Sequence, residues 1–236
     1  MSKLTAQNPQ SIQHMFSVIS KSYDLANSIL SLGIHHLWKK RLIRESRVRV
    51  GQSVLDCATG TGDLAFLFEK NLKQTGQVIG SDFCESMLDV AHRRAQRSKS
   101  RVQFEVADVM NLPYSDASFD VASISFGIRN TQDPKKALTE LGRVVKSGGK
   151  VLVLEFGQPR SKWMGKLYQF YSTRILPKLG GWISGQPEAY QYLQTSSAQF
   201  PCRESFLALA RSTQQFSQMR YISFQTGIAY LYILEK

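Results

Sequence analysis

The sequence predicts a doubly wound α/β fold, with a mostly parallel sheet that is completed by a C-terminal antiparallel strand. Three observations support this fold class. Short apolar runs alternate with segments of helical periodicity between residues 52 and 156. A glycine-rich loop joins the first apolar run to a helix. Near the C-terminus, two β-rich runs on either side of Thr226-Gly227 predict a hairpin.

The glycine-rich loop lies within Val54–Asp63, which reads VLDCATGTGD. It begins as the apolar end of a buried strand, turns through Gly60 and Gly62, and runs into a helix start. Such units hold nucleotide-like ligands, because glycines let the backbone approach the ligand closely. The next apolar run ends at Asp82, about twenty residues beyond the loop, where a carboxylate can bind ribose hydroxyls.

The loop by itself leaves the ligand open. The stretch from Gly60 to Ala65 fits G-x-G-x-x-A, so a dinucleotide is one interpretation. However, Asp56 and Asp63 flank the loop, and their negative charge would oppose a pyrophosphate at the helix N-terminus. The same charge would attract the ammonium and sulfonium groups of S-adenosylmethionine. A methyltransferase is therefore favoured, while a dinucleotide enzyme and a strand–turn–helix without a ligand remain alternatives.

The other elements are predicted from periodicity and turn residues. Residues 9–47 are expected to form two helices, separated near Gly33, that either cap the ligand cleft or pack on the sheet. Asp133 is predicted to cap a helix that begins at Pro134, and Ser147–Gly149 to form a turn. The remaining predictions are strands at 52–57, 77–82, 101–107, 119–127 and 150–156, and helices at 62–70, 85–97 and about 203–213.

We expect a single domain over residues 1–236. Its parts are an N-terminal helical cap at 1–48, a cofactor-binding core at 49–157, a helical lid at 158–200, and a C-terminal helix and hairpin at 201–236. The lid carries an aromatic-rich helical stripe with basic residues between the aromatic ones. This pattern is typical of a lid or a membrane-facing helix, and equally of one more packed core helix.

The net charge of +12 indicates a phosphate-bearing partner, either a nucleic acid or a membrane surface. Much of the excess is concentrated in residues 1–50 and 158–203. No apolar run is long enough for a transmembrane helix, and no signal peptide is expected. Three unpaired cysteines favour reduced thiols in the cytoplasm, and the four histidines show no metal-ligand spacing, so no metal is predicted.

Four blocks resemble the ubiquinone/menaquinone biosynthesis C-methyltransferase family, and the resemblance extends nearly end to end. The departures from the commonest family residues are Ala26, Ser147 and Gly157. The resemblance implies a class I Rossmann-like S-adenosylmethionine-dependent methyltransferase fold, with an N-terminal helical cap and inserted helices near 158–200. The blocks are YDLANSILSLGIHHLW (23–38), SISFGIRN (123–130), RVVKSGGKVLVLEFG (143–157) and PEAYQYL (187–193).

The resemblance also implies contacts to S-adenosylmethionine at five positions. Three of them are also selected without it, since Asp82, Asp108 and Ser125 all follow strands at their carboxyl ends, where doubly wound sheets bind ligands. The full predicted set comprises Asp56, Gly60, Thr61, Gly62, Asp82, Asp108, Val109 and Ser125.

The implied reaction is methyl transfer to a ring carbon of a polyprenylated quinol, with demethylmenaquinol favoured and a benzoquinol left open. Such a carbon is nucleophilic when a ring hydroxyl is deprotonated, so the site must stabilise an oxyanion. Arg129 is predicted to stabilise that oxygen and Asn130 to orient it. Tyr23 and His35 are weaker candidates for removing a proton. Alternatively, Arg129 forms a structural ion pair with Asp133.

A lipid-soluble substrate and the basic segments favour peripheral contact with an anionic membrane at the inner face. No nucleic-acid partner is expected, because the sequence lacks an RNA-binding appendage, a Cys/His zinc pattern and an N-P-P-Y motif. A homo-oligomer is left open. The alternative functions are a methyltransferase acting on nucleic acid or another small aromatic substrate, and a dinucleotide-dependent oxidoreductase.

Overall fold

The computed structural model describes residues 9–20, 33–159, 192 and 195–236. Tyr23 and most of the predicted lid at 158–200 therefore lie outside the described residues. The described helices are α1 (Pro9–Ile19), α2 (Ile34–Ser46), α3 (Asp63–Asn71), α4 (Glu85–Ser98), α5 (Pro134–Val144) and α6 (Glu204–Arg211). The strands are β1 (Ser53–Cys57), β2 (Gln77–Asp82), β3 (Gln103–Val106), β4 (Phe119–Ser125), β5 (Val145–Phe156), β6 (Gln218–Phe224) and β7 (Ala229–Glu235).

The strands form one sheet in the order β3-β2-β1-β4-β5-β7-β6. The pairs among β1 to β5 are parallel, whereas β7 is antiparallel to both of its neighbours. This confirms the predicted parallel sheet with its C-terminal hairpin. Parallel neighbours need crossover connections, so the carboxyl ends of β1 to β4 meet at one edge of the sheet.

Helices cover both faces of the sheet, and each face has its own apolar core. Leu152 and Leu154 of β5 pack into the cluster that contains residues of α2, α3 and α4. Val151 and Val153 point the other way, into the cluster with α5 and α6. Successive strand residues point to opposite faces, so a strand buried on both sides must be apolar throughout. This explains the unbroken apolar run of β5.

The predicted turn at Ser147–Gly149 lies inside β5. Val145 pairs with Phe119 of β4, and the register then shifts so that Lys150 pairs with Val121. Lys236, the C-terminal residue, binds the residues of β5 that lie between these two pairs. Gly148 N–H donates to Lys236 O at 3.0 Å, and Lys236 N–H donates to Gly149 O at 3.1 Å. The two glycines therefore form an irregularity within a strand and do not end it.

The two N-terminal helices occupy different places. Gln13 of α1 donates to the Phe83 carbonyl at 3.1 Å, which places α1 beside the loop that follows β2. In contrast, α2 packs on the sheet, where the Trp38 ring lies 5.9 Å from that of Phe224 and its indole N–H donates to Gln225 at 2.6 Å. None of the described helices is long and apolar enough to cross a membrane.

Gly62, at the start of α3, is constrained by both its backbone and its surroundings. Its φ is +87°, and a Cβ there would lie 2.7 Å from the Phe104 ring. Gly51 has a similar φ of +85° but nothing within 4 Å of a Cβ. Both alanine variants should lose about 1–2 kcal/mol for the left-handed backbone. Gly62→Ala should lose roughly 1–3 kcal/mol more through overpacking.

Urea unfolding of both variants measures this difference. Gly51→Ala is the matched control for backbone strain. Equal free-energy losses in the two variants would show that the Phe104 ring moves aside at no cost.

Candidate functional site

A cavity of about 270 Å³ opens at the carboxyl ends of the parallel strands. This is the edge at which doubly wound sheets bind ligands. The loop after β1, the ends of β2 and β3, and the turn after β4 all contribute to its wall. Its lining residues are Phe16, Ala58, Gly60, Asp82, Phe83, Met87, Ala107, Asp108, Val109, Met110, Ser125, Phe126, Gly127, Asn130, Thr131 and Gln132.

Asp82 links the glycine loop to the segment that follows β2. One carboxylate oxygen accepts from Gly60 N–H at 2.8 Å, and the other accepts from Cys84 N–H at 2.9 Å. Burial raises the pKa of Asp82, and these backbone donors oppose that rise. A carboxylate has about four acceptor positions, so capacity remains for a ligand hydroxyl. The predicted ribose acceptor is therefore buried, held in place and part of the cavity wall.

The predicted cofactor residues Asp108, Val109 and Ser125 also line the cavity. Asp108 accepts from Met110 N–H at 2.9 Å, which fixes its carboxylate at the cavity wall. Among the described residues, the buried Ser125 hydroxyl has no hydrogen-bond partner. An unsatisfied buried polar group costs about 1–3 kcal/mol, and a bound ligand would remove that cost. Ser125 therefore has the property expected of a ligand contact.

Three other predicted cofactor residues, Asp56, Thr61 and Gly62, lie behind the cavity wall. Asp56 is 1% exposed and accepts from the hydroxyls of Thr59 at 2.7 Å and Ser123 at 2.6 Å. Burial raises the pKa of Asp56 to about 6. Thr61 is 2% exposed, and Gly62 N–H donates to the Thr59 carbonyl. In this structure these three residues shape the loop and do not line the cavity.

The negative charge of Asp63, which the sequence suggested would discriminate between ligands, is compensated in the structure. Asp63 lies 3.2 Å from Lys39 and 2.6 Å from Arg94, and Arg94 also donates to the Thr61 carbonyl. Burial acts to raise the pKa of Asp63, but the two cations outweigh it and lower the pKa to about 2. Since two cations compensate this carboxylate, it provides no free negative charge for discriminating between ligands. The loop charge therefore does not identify the cofactor.

His35, His36 and Asp63 come together with possible ligand atoms within 4.8 Å of one another, although the histidine spacing had predicted no metal. Burial lowers the pKa of His35 to about 4, so its ring is neutral near pH 7 and a poor proton acceptor. The cations on Asp63 disfavour a metal ion at this grouping.

Arg129 is not among the residues that line the cavity. Its guanidinium donates to Glu155 at 2.6 Å and to the Phe126 carbonyl at 2.7 Å, and both partners of the ion pair are buried. The sequence left open whether Arg129 stabilises the substrate oxygen or forms an ion pair with Asp133. The structure shows an ion pair, but its partner is Glu155. Asp133 instead accepts from Lys136 N–H at 3.0 Å and caps α5, as predicted. In this structure the guanidinium is not placed to contact a ligand in the cavity.

Asn130, the other residue predicted to act on the substrate, does line the cavity. Its side-chain oxygen accepts from the Tyr192 hydroxyl at 3.1 Å. Tyr192, Glu155 and Arg94 were not among the site residues predicted from the sequence. Glu155 could have been identified from the sequence, because an acid at the end of an apolar run that is buried on both faces needs a buried partner. Arg94 had none, since its position on a polar helix face resembles that of any solvated arginine.

Known proteins resemble this chain in sequence and in fold. The sequence profile of the ubiE/COQ5 methyltransferase family matches residues 3–236. The ubiquinone/menaquinone biosynthesis C-methyltransferase UbiE of Bdellovibrio bacteriovorus is 55% identical over 225 residues, which is 95% of each chain. The demethylmenaquinone methyltransferase of Deinococcus radiodurans is 37% identical over 227 residues, covering 96% of this chain and 93% of its own.

Solved structures support the fold. A S-adenosylmethionine-dependent methyltransferase of Thermotoga maritima has a TM-score of 0.63 at 21% identity, covering 94% of this chain and 100% of its own. One from Aquifex aeolicus has a TM-score of 0.60 at 17% identity, covering 83% and 88%. The fold is thus that of Rossmann-like methyltransferases. Together with the family match, this shows that the chain belongs to the ubiE/COQ5 methyltransferase family.

Proposed function

We propose that this protein is a S-adenosylmethionine-dependent C-methyltransferase that methylates a ring carbon of a polyprenyl quinol in quinone biosynthesis. The observation that carries the proposal is the cavity in which Asp82, Asp108 and Ser125 meet, in a chain of this family. Demethylmenaquinol is the substrate we favour, and a demethylated benzoquinol is the runner-up.

The residues present fit the cofactor. The buried Asp82 carboxylate has acceptor capacity for ribose hydroxyls, and Asp108 can accept from an adenine amino group. Gly60 brings the backbone to the cavity wall, and the unpartnered Ser125 hydroxyl would gain a hydrogen-bonding partner. When bound, S-adenosylmethionine supplies a methyl group on a sulfonium, and the chain's own task is to present a nucleophilic ring carbon to it.

Other residues of the cavity lining suit a quinol ring. Phe126 and Phe16 provide apolar surface that excludes water from the ring. Asn130 also lines the cavity, and its side-chain amide can hydrogen-bond an ionised ring oxygen. The proton lost by the quinol passes to water in this proposal, and Arg129 acts by holding the turn that carries Asn130.

The direct test is incubation with labelled S-adenosylmethionine and each of the two demethylated quinols, with the oxidised quinones as controls. We expect label in the reduced substrates only, because the oxidised ring lacks the nucleophilic carbon. Label in added nucleic acid, with none in either quinol, would overturn the proposal.

Asp82→Asn should lower the affinity for S-adenosylmethionine roughly tenfold to hundredfold, because hydrogen bonds to a charged acceptor contribute about 1.5–3 kcal/mol. Isothermal calorimetry measures the change. Asp89→Asn makes the same substitution at an exposed position of α4 and is the matched control. Unchanged affinity in a folded Asp82→Asn protein would remove Asp82 from the cofactor site.

Ser125→Ala and Ser123→Ala should have opposite consequences for the free protein. The Ser123 hydroxyl donates to Asp56, so removing it should cost about 1–3 kcal/mol of stability. The Ser125 hydroxyl has no described partner, so Ser125→Ala should keep or raise stability. Thermal unfolding with and without S-adenosylmethionine should show a smaller ligand-induced stabilisation in Ser125→Ala. A ligand-induced shift equal to that of the wild type would contradict this assignment.

For a lipid-soluble substrate we also propose peripheral binding to an anionic membrane through one face of α2. The exposed residues Leu37, Lys40 and Arg44 follow a 3-4 spacing and so share that face, while Trp38 on the opposite side is buried. Arg47, also exposed, caps the C-terminal end of the helix. Leu37 is 61% exposed. Within the part of the chain that the structure describes, none of the three cations forms an ion pair. The basic residues Arg160, Lys162 and Lys166 lie outside that part.

Replacing Lys40, Arg44 and Arg47 with Gln should reduce sedimentation with phosphatidylglycerol vesicles, because each cation near an anionic surface contributes about 1 kcal/mol. Wild-type binding should also fall as salt rises through roughly 0.1–0.5 M, and should be absent on phosphatidylcholine. The matched control replaces the exposed Arg93, Arg97 and Lys99 with Gln. If the two triple variants bound the phosphatidylglycerol vesicles equally well, net charge alone would explain the binding, and this face of α2 would have no special role.

A further inference from the structure

We infer that Tyr192 is a positioning residue that orients the Asn130 amide, so that its N–H group faces the cavity and donates to the ionised oxygen of the quinol. This rests on the proposed function. Tyr192 falls within PEAYQYL, a block from which no site residue was predicted. The observation behind the inference is the hydrogen bond from the Tyr192 hydroxyl to the Asn130 side-chain oxygen, at 3.1 Å.

Tyr192 is suited to act as the donor of this bond. It is 6% exposed, and burial raises the pKa of its phenol even though nearby Arg129 acts to lower it. The phenol therefore keeps its proton at physiological pH. An Asn side chain has one acceptor end and one donor end, so engagement of the oxygen by Tyr192 leaves the NH₂ group for the cavity.

An NH₂ group at this wall distinguishes the two protonation states of a quinol. It donates to an ionised oxygen more strongly than to a neutral hydroxyl, because charge-assisted hydrogen bonds are about twice as strong. The bound quinol therefore ionises more readily, which increases the fraction with a nucleophilic ring carbon. Were the amide reversed, its oxygen would face the quinolate oxygen and repel it.

A buried chain of contacts holds the two partners together. The Ser196 hydroxyl donates to the Tyr192 carbonyl at 2.8 Å and accepts from Arg129 Nε at 3.4 Å. Arg129 in turn pairs with Glu155 at the end of β5. Asn130 belongs to the same turn as Arg129, and its N–H donates to the Gly127 carbonyl at 3.0 Å. Tyr192 and Asn130 are thus attached to a common buried ion pair.

The test begins with Tyr192→Phe, which removes the hydroxyl and keeps the ring. Turnover at neutral pH should fall about tenfold, and the acidic limb of the kcat profile should move up by roughly one pH unit, because the bound quinol ionises less readily. The KM for S-adenosylmethionine should not change. Adding Tyr192→Phe to Asn130→Ala should cause no further loss, since Tyr192 acts through Asn130.

Tyr232→Phe is the matched control. Its hydroxyl is also engaged inside the fold, accepting from Arg203 N–H at 2.7 Å, so its loss tests a purely structural effect. This variant should leave the pH profile unchanged. If wild-type enzyme methylates the quinol and Tyr192→Phe keeps the wild-type turnover and profile, the orienting role is wrong and the proposed function stands.

A measurement without turnover separates the two hypotheses if the wild type proves inactive on quinols. With ¹⁵N-labelled asparagine, the side-chain amide signal of Asn130 should shift in Tyr192→Phe and stay in place in Tyr232→Phe. An Asn130 signal that does not respond to Tyr192→Phe would overturn the orienting contact itself, whatever the substrate.

Discussion

The position of the ligand site depends on the buried carboxylate of Asp82. It accepts from Gly60 in the loop after β1 and from Cys84 at the start of α4, so it joins the ends of two neighbouring parallel strands. Burying a carboxylate is costly unless hydrogen bonds compensate it. Those same bonds set the shape of the glycine loop and leave acceptor capacity toward the cavity. One group therefore stabilises the loop and presents an acceptor to the cavity.

The part of the cavity lining that carries Asn130 depends on the pair between Arg129 and Glu155. A buried ion pair contributes little net stability, because desolvation offsets most of the attraction. Its effect here is geometric, since it ties the end of β5 to the turn that carries Asn130 and, through Ser196, to Tyr192. The two parts of the cavity lining that carry Asp82 and Asn130 are thus each organised by a buried charge with defined partners.

Much of the fold followed from local signals. The second strand was predicted at its observed bounds, and Asp133 caps α5 as its position before Pro134 indicated. The prediction was wrong at Ser147–Gly149, which lies within β5. A glycine pair that is typical of a turn becomes a strand irregularity when the C-terminal residue supplies hydrogen-bonding partners, and a contact so distant in sequence has no local signal.

By itself the sequence determined the order of strands and helices, the edge of the sheet at which a ligand binds, and the residues that follow each strand there. These properties follow from periodicity and from the rule that parallel strands end together. Only the tertiary structure decided which polar side chains reach the cavity. It turns Asp56 toward Ser123 and Arg129 toward Glu155, while Asp82 and Asn130 face the cavity, because the direction of a side chain depends on partners that folding brings from distant parts of the chain.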